Sequence, residues 1–165
     1  MKDINLQEFC KELHIYEFGI APWPLPDMAK DILYESNPCP FTAADVEERL
    51  RGTTEFTPKS AIVCLFPYYV EHSGPFNLSR YTWGTDYHLV INKYLEKLIE
   101  KLQKMNTSAQ FSIHCDTSPL ADRYMAYLAG LGFYGKNNCF ISPKWGSYVM
   151  IGTILTTLEF EPNTP

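Results

Sequence analysis

Asp116 follows a strand expected at residues 110–115 and precedes Thr117, Ser118 and Pro119, a sequence suited to starting a helix. A carboxylate between a strand end and a helix N-terminus lies close to helix amides, and such positions often border a cleft. Two roles are open to it: cap of the following helix, or general acid. The acid role needs an available proton near neutral pH. Helix amides lower a carboxyl pKa, whereas burial beside a large apolar ligand raises it.

A second cluster lies at residues 79–88, SRYTWGTDYH, where Tyr81, Trp83, Tyr87, Arg80, Asp86 and His88 surround Gly84. Solvated loops seldom carry so many rings. The segment either covers the core or forms one wall of a binding site. The aromatic share of the whole chain, 15%, suits a wide, flat ligand site as well as a ring-rich core. His88 has no His or Cys partner at metal-ligand spacing, so it reads as a structural histidine.

Gly130, Gly132 and Gly135 spell G-x-G-x-x-G, and with Lys136 they nearly spell G-x-x-x-x-G-K-[ST]. Both phosphate motifs require a strand before the glycines and a helix after them. Here a helical pattern comes first, and Asn137 stands where the second motif needs a hydroxyl. What survives is a glycine-rich loop with exposed N–H groups and one cation. It suits close approach of a carbonyl-rich or anionic ligand, or simply a helix C-cap with a tight turn.

The elements that must position these groups follow from pattern. Leu6, Phe9, Cys10 and Leu13 predict an amphipathic helix over 4–14, and residues 16–22 a strand ended by Pro22. Three prolines in APWPLPDM require a loop, leading to a short helix near 27–34. Thr42 is expected to N-cap a helix over 43–50, with Asp45 at its third position in a capping-box variant and Gly52 ending it. Ser60–Pro67 is a short apolar run rich in branched residues, hence a central buried strand. Apolar positions 91, 95, 98, 99 and 102 predict a helix over 89–105. After a strand at 110–115, Thr117 or Ser118 should cap a helix with Pro119 in its first turn, running to Gly130. CFIS and GSYVMIGTILTT read as two strands joined by a turn at 143–146, an antiparallel pairing. A mixed sheet flanked by helices, an α/β (α+β) architecture, is expected.

The 165 residues fit one domain of ordinary size, and 45% hydrophobic with 20% charged residues is a globular composition. A net charge of −5 argues against a generic nucleic-acid coat, though not against a local basic patch. Cys10, Cys39, Cys64, Cys115 and Cys139 are odd in number and form no C-x-x-C pair, a pattern of reduced cytoplasmic thiols and not of disulfides or zinc. The first residues, MKDINLQEFCKEL, lack a secretory apolar core, and no window approaches the ~18 consecutive apolar residues of a membrane span.

SRYTWGTDYH, DTSPLADR and AGLGFYGKNNCFISPKWGSYVMIGTILT occur in the order and approximate spacing that they have in epoxyqueuosine reductases, and FGIAP and SAIVCLFPYY also resemble that family. The resemblance covers nearly the whole chain and is strongest from 79 to 157. It implies a fold similar to flavin nitroreductases and to the cobalamin modules of reductive dehalogenases. It further implies cobalamin, two [4Fe–4S] clusters, and reduction of the epoxide of epoxyqueuosine in tRNA to the alkene of queuosine. The family's catalytic acid, the aspartate of its DTxP motif, falls on Asp116. Tyr81, Trp83, Gly84, Asp86, Tyr87, Gly132, Lys136 and Asn137 fall on segments around the cobalamin and substrate pocket, and Arg80, Arg123, Lys136 and Lys144 are candidates for a tRNA-facing basic patch.

Two departures stand out. Asp122 precedes Arg123 where the family usually has glutamate. The family's C-x₂-C-x₂-C-x₃-C-P segment is absent from these residues. Residues 1–158 are therefore expected to be an N-terminal cobalamin and substrate domain. Residues 159–165 would begin a linker to a ferredoxin-like domain, without which the chain would not receive electrons. A flavin-binding nitroreductase-like oxidoreductase and a non-catalytic corrinoid-binding domain are the alternatives. The location expected is the cytoplasm.

Overall fold

In the computed structural model, which describes residues 5–35, 45–71 and 77–165, the run SAIVCLFP forms strand β2 (Ser60–Pro67). Successive side chains on a strand point to opposite faces. Ala61, Val63 and Leu65 accordingly enter one core, and Ile62 and Cys64 enter another. A strand buried on both faces has no polar side to alternate with, which is why its sequence reads as a continuous apolar run.

The strands β1 (Glu17–Pro22), β2, β3 (Phe111–Cys115) and β6 (Val149–Thr156) form a sheet in the order β1-β2-β6-β3. Helices α1 (Leu6–Glu12) and α4 (Tyr87–Met105) close the Ile62 face. Helix α5 (Asp122–Leu128), with Ala29 of α2 (Asp27–Glu35), closes the Val63 face. The α4 stripe of Ile91, Leu95, Leu98 and Leu102 is fully buried. Each such side chain contributes about 1.5–3 kcal/mol relative to exposure.

The α+β architecture is present, but the four-stranded sheet is antiparallel at every ladder among the described residues, instead of mixed. The chain leaves β1 at Pro22 and re-enters β2 at Ser60, its direct partner, so the intervening helices form an excursion that returns to the same end. CFIS does not pair with the following strand. β5 (Phe140–Ile141) pairs with β4 (Phe133–Tyr134), because both edges of β6 are taken by β2 and β3. The intervening turn closes on itself through reciprocal Ser142–Gly146 backbone bonds of 2.9 Å.

Helix α3 (Val46–Arg51) is N-capped by Asp45, not entered at an earlier residue. Asp45 Oδ1 accepts from Glu48 N at 2.8 Å while Glu48 Oε2 accepts from Asp45 N at 3.2 Å, a complete capping box. The expected cap Thr42 lies outside the described residues. Gly52 ends the helix at φ 72°, and a Cβ there would lie 2.6 Å from Leu155 Cδ1. Helix α5 starts at Asp122, later than Pro119, and no side chain caps it. The chain first makes a tight turn, with Thr117 N donating to Cys115 O at 2.7 Å, and Ser118 Oγ accepts from Leu120 N.

Residues 159–165 run along β1. Ile20 N donates to Asn163 Oδ1 at 2.6 Å, and Asn163 N donates to Ile20 O at 2.9 Å. Among the described cysteines, Cys10, Cys64 and Cys115 are buried and Cys139 is exposed, all as free thiols. Among the described residues, no helix is long and apolar enough to cross a membrane.

Candidate active site

The C-terminal end of β3, the N-termini of α4 and α5 and the start of β6 meet at one end of the sheet. Asp116, the residue after β3, has φ 56°. Left-handed backbone is uncommon outside glycine, though aspartate tolerates it, and it often marks a functional turn. The bend turns the carboxyl group toward α4. Tyr87 donates its hydroxyl to Asp116 Oδ2 at 2.7 Å.

Asp86 N-caps α4, accepting from His88 N at 2.9 Å, and its Oδ1 also lies 2.8 Å from His88 Nδ1. The other ring nitrogen, Nε2, stands 3.4 Å from Asp116 Oδ2, long for a hydrogen bond but close for an ion pair. The Tyr87 and His88 rings stack at 4.0 Å. Asp86, His88, Asp116 and Tyr87 thus form one connected cluster. The hydrogen bond from Asp86 holds the His88 imidazolium above its ordinary value, with Asp116 adding to it, and His88 in turn holds the Asp86 carboxyl down. Burial, then the bond to Asp116, pushes the Tyr87 phenol up, so it stays a donor.

Two hollows flank this cluster. One, about 480 Å³, is lined by Asp116, Asp122, Arg49, Arg123, Tyr87 and Tyr134 among others. The second, about 740 Å³, is largely aromatic, with Tyr68, Tyr81, Trp83 and Tyr87 in its wall. Tyr87 and Met150 border both. Arg80 stiffens the aromatic wall: its guanidinium lies 4.7 Å from the Tyr69 ring centroid and 5.3 Å from that of Trp83, and it donates to Val70 O at 2.5 Å. Tyr81 meets Tyr87 edge-on at 6.1 Å.

In the smaller cavity Asp122 is half-buried with its Oδ1 enclosed, and its pKa is raised to about 7. Burial is the main cause and Asp116 the next, while Arg49 and Arg123 oppose them. Burial, helped by Asp122 and Asp116, lifts the neighbouring Cys115 thiol to about 11.

Of the residues singled out from the sequence, Tyr81, Trp83, Gly84 and Tyr87 line the aromatic cleft and Asp116 lines the cavity beside it. Asp86 acts at one remove, through His88. Gly132, Lys136 and Asn137 line neither hollow. Gly132, at φ 158°, lets the β4–β5 pair close, since a Cβ there would lie 2.1 Å from Ile141 O. Lys136 is exposed, and Asn137 accepts from Cys139 N at 3.2 Å. The glycine loop reaches the cavity through Tyr134, and Arg123 ties it down by donating to Asn138 O. Lys144 pairs with Glu17 at 3.5 Å, away from these walls.

Sequence reasoning set His88 aside and missed Arg49 and Tyr134. His88 was findable, because it lies two residues from Asp86 at a helix start. Nothing in VEERLR separates Arg49 from the neighbouring solvated charges. Among the described residues, no group of three or more His, Cys, Asp or Glu is placed to hold a metal ion.

The family model described as "Epoxyqueuosine reductase QueG, DUF1730" matches residues 53–117. The epoxyqueuosine reductase of Lactococcus garvieae is 37% identical over 176 aligned positions, covering 98% of this chain and 50% of that protein. The solved epoxyqueuosine reductase of Streptococcus thermophilus superposes with a TM-score of 0.82 at 27% identity, covering 96% of this chain and 46% of that one. An epoxyqueuosine reductase crystallised with an epoxyqueuosine-modified tRNA-Tyr stem loop gives 0.79 at 29%, covering 97% and 46%. These likenesses define the class as an α+β fold shared with epoxyqueuosine reductases, with Asp116 at a strand end between two hollows. Over nearly its whole length the chain is similar to epoxyqueuosine reductases. It spans about half the length of the curated relatives it matches.

Proposed function

We propose that this chain is the substrate- and cofactor-binding part of an enzyme that reduces epoxyqueuosine in tRNA to queuosine, with Asp116 as the general acid. The observation that carries the reading is the Tyr87–Asp116 hydrogen bond at the junction of a broad aromatic cleft and a second, more polar cavity. An acid so held can reach a reacting oxygen from one side while a flat redox group lies on the other.

Cobalamin, implied by the family resemblance, suits the residues present. The larger hollow is wide, open and lined by rings and aliphatic groups, and at Gly84 a Cβ would meet nothing within 4 Å. Tyr68, Tyr81, Trp83 and Gly84 would hold the group there, with Asp86 capping the helix that carries Tyr87 into the wall. When bound, it would supply low-potential electrons to the epoxide carbon. The chain's own residues do the rest. The cleft excludes water from one face, and the cavity orients the modified base by stacking on Tyr124 or Tyr134 and by bonds to its edge. Asp116 gives a proton to the epoxide oxygen as its carbon–oxygen bond breaks. Tyr87 fixes the carboxyl rotamer, and His88, held by Asp86, approaches the same oxygen, Oδ2. Electrons would come from a cluster-bearing domain outside these residues, in a cytoplasmic enzyme. tRNA would be met by local basic groups, with Arg49 and Arg123 inside the cavity and Arg80 at the cleft.

The test combines the purified chain with cobalamin, a low-potential chemical reductant in place of the electron-donating domain, and an RNA stem loop carrying epoxyqueuosine, reading queuosine by mass spectrometry. Asp116→Asn should keep cobalamin binding and lower turnover by about 10²–10⁴-fold, the range for loss of a general acid. Equal turnover in the variant sinks the acid role. A chain that binds flavin and refuses cobalamin favours the nitroreductase-like alternative.

A further inference from the structure

Removing an epoxide oxygen to leave an alkene consumes two protons. The balanced change is R₂C(O)CR₂ + 2 e⁻ + 2 H⁺ → R₂C=CR₂ + H₂O. Both carbon–oxygen bonds break, two electrons enter one at a time from a low-potential donor, and the oxygen departs as water. Asp116 accounts for one proton and is then an anion.

A second carboxyl group lines the same cavity. Asp122 stands in the first turn of α5, where the chain has just finished the turn begun at Asp116. The two carboxyl groups differ in surroundings. The Asp116 side chain is 62% exposed and receives the Tyr87 hydroxyl. Asp122 Oδ1 is buried and has no hydrogen-bond partner. A buried ionised carboxylate with an unsatisfied oxygen is strongly disfavoured, and the usual resolution is to bind a proton.

Resting on the reading above, we infer that Asp122 is the cavity's second acid: it is neutral between turnovers, and its proton converts the oxygen freed by Asp116 into water. Asp116 gives the first proton as the ring opens. Asp122 gives the second as the remaining carbon–oxygen bond breaks. Between turnovers Asp122 regains its proton beside the Asp116 carboxylate, and Asp116 takes its own from solvent as the next substrate enters.

The groups facing Asp122 set its balance. Asp116 and Cys115 approach from the end of β3, Arg49 from α3, Tyr87 from α4, Tyr134 from β4, and Arg123 and Tyr124 from its own helix. The two guanidinium groups favour ionisation. Burial and the Asp116 charge oppose them and prevail, bringing the group to about 7.

The first measurement needs no variant and no activity. Carboxyl-carbon NMR of the purified chain, titrated with pH, should assign a near-neutral midpoint to Asp122, and Asp116→Asn should move that midpoint down. A midpoint in the ordinary aspartate range overturns the inference. In the reductive assay, Asp122→Asn should keep cobalamin binding, slow turnover by roughly 10²-fold, and remove the alkaline limb of the pH profile, and Asp122→Glu should restore that limb. An unchanged pH profile in Asp122→Asn likewise overturns it. If the wild-type chain reduces no epoxide at any pH, the functional reading and the second-proton role fall together, while the titration still decides by itself whether a proton resides on Asp122.

Discussion

At the scale of single residues, the site is organised by one phenol. Tyr87 borders both hollows, donates to Asp116, stacks on His88 and meets Tyr81 edge-on. Its sequence neighbours do different work, since Asp86 caps the helix and His88 approaches the same Asp116 oxygen, Oδ2, at 3.4 Å. Tyr87→Phe keeps the ring contacts and deletes only the hydroxyl. The expected result is a folded protein with an unchanged melting temperature and turnover down by about 10-fold, the effect of one hydrogen bond worth about 1.4 kcal/mol in the transition state. Single-turnover kinetics with the epoxyqueuosine stem loop checks it, and wild-type kinetics would reduce Tyr87 to a packing residue. The sequence indicated Asp116 and Tyr87 because a strand end and a ring cluster are local patterns. It gave no access to the enclosure of Asp122, because Arg49 of α3 and Tyr134 of β4 reach the same cavity only through tertiary packing.

At the scale of elements, what was legible tracks how local the cause is. The period of α4 and the apolar run of β2 are set by burial on a repeating face, and both are found where the pattern puts them. The partner of β5 was not legible, since the choice depends on β6 being saturated by two other strands. The late start of α5 was also hidden, because the left-handed Asp116 consumes residues that would otherwise form a first turn. β3 carries an acid-sensitive group of its own. His114 is buried, its Nε2 lies 2.8 Å from Ser112 Oγ, and burial lowers its pKa to about 4. A neutral imidazole in the fold and a protonatable one in the unfolded chain mean that the unfolded state binds more protons below the ordinary histidine value. Stability should therefore fall as pH drops from about 6.5 toward 4, by up to ~3 kcal/mol. Asp122 works the other way, because its raised pKa makes the fold lose stability as pH climbs from the ordinary aspartate range to about 7. Denaturant titrations across this window should give a shallower acid limb for His114→Gln than for the wild type. Identical limbs would assign the acid sensitivity elsewhere.

At the scale of the whole molecule, the chemistry collects at one end of a sheet closed by helices on both faces. The segments forming the walls are loops and helix starts held by few bonds, while the four α4 anchors and both faces of β2 lie in the rigid interior. That division would let the proposed site admit a nucleotide without loosening the core. On the proposed function, a net charge of −5 would leave RNA affinity to a few guanidinium groups at the mouth, and binding should then weaken with salt far less steeply than in a uniformly basic RNA-binding protein.

The tail beside β1 carries one more implication. An outer strand with bare amides and carbonyls is an invitation to a second sheet, and proteins protect themselves by covering such rims. Here a single asparagine does so, answering the N–H of Ile20 with its side chain and the carbonyl with its backbone, as a neighbouring strand would. Asn163→Ala should lower the melting temperature by a few degrees, about the shift from one lost hydrogen bond, and light scattering should detect self-association at concentrations where the parent protein stays monodisperse. The seven terminal residues, polar and unremarkable in composition, would then act as a selvedge: the finished border that keeps a woven sheet from fraying into its neighbours.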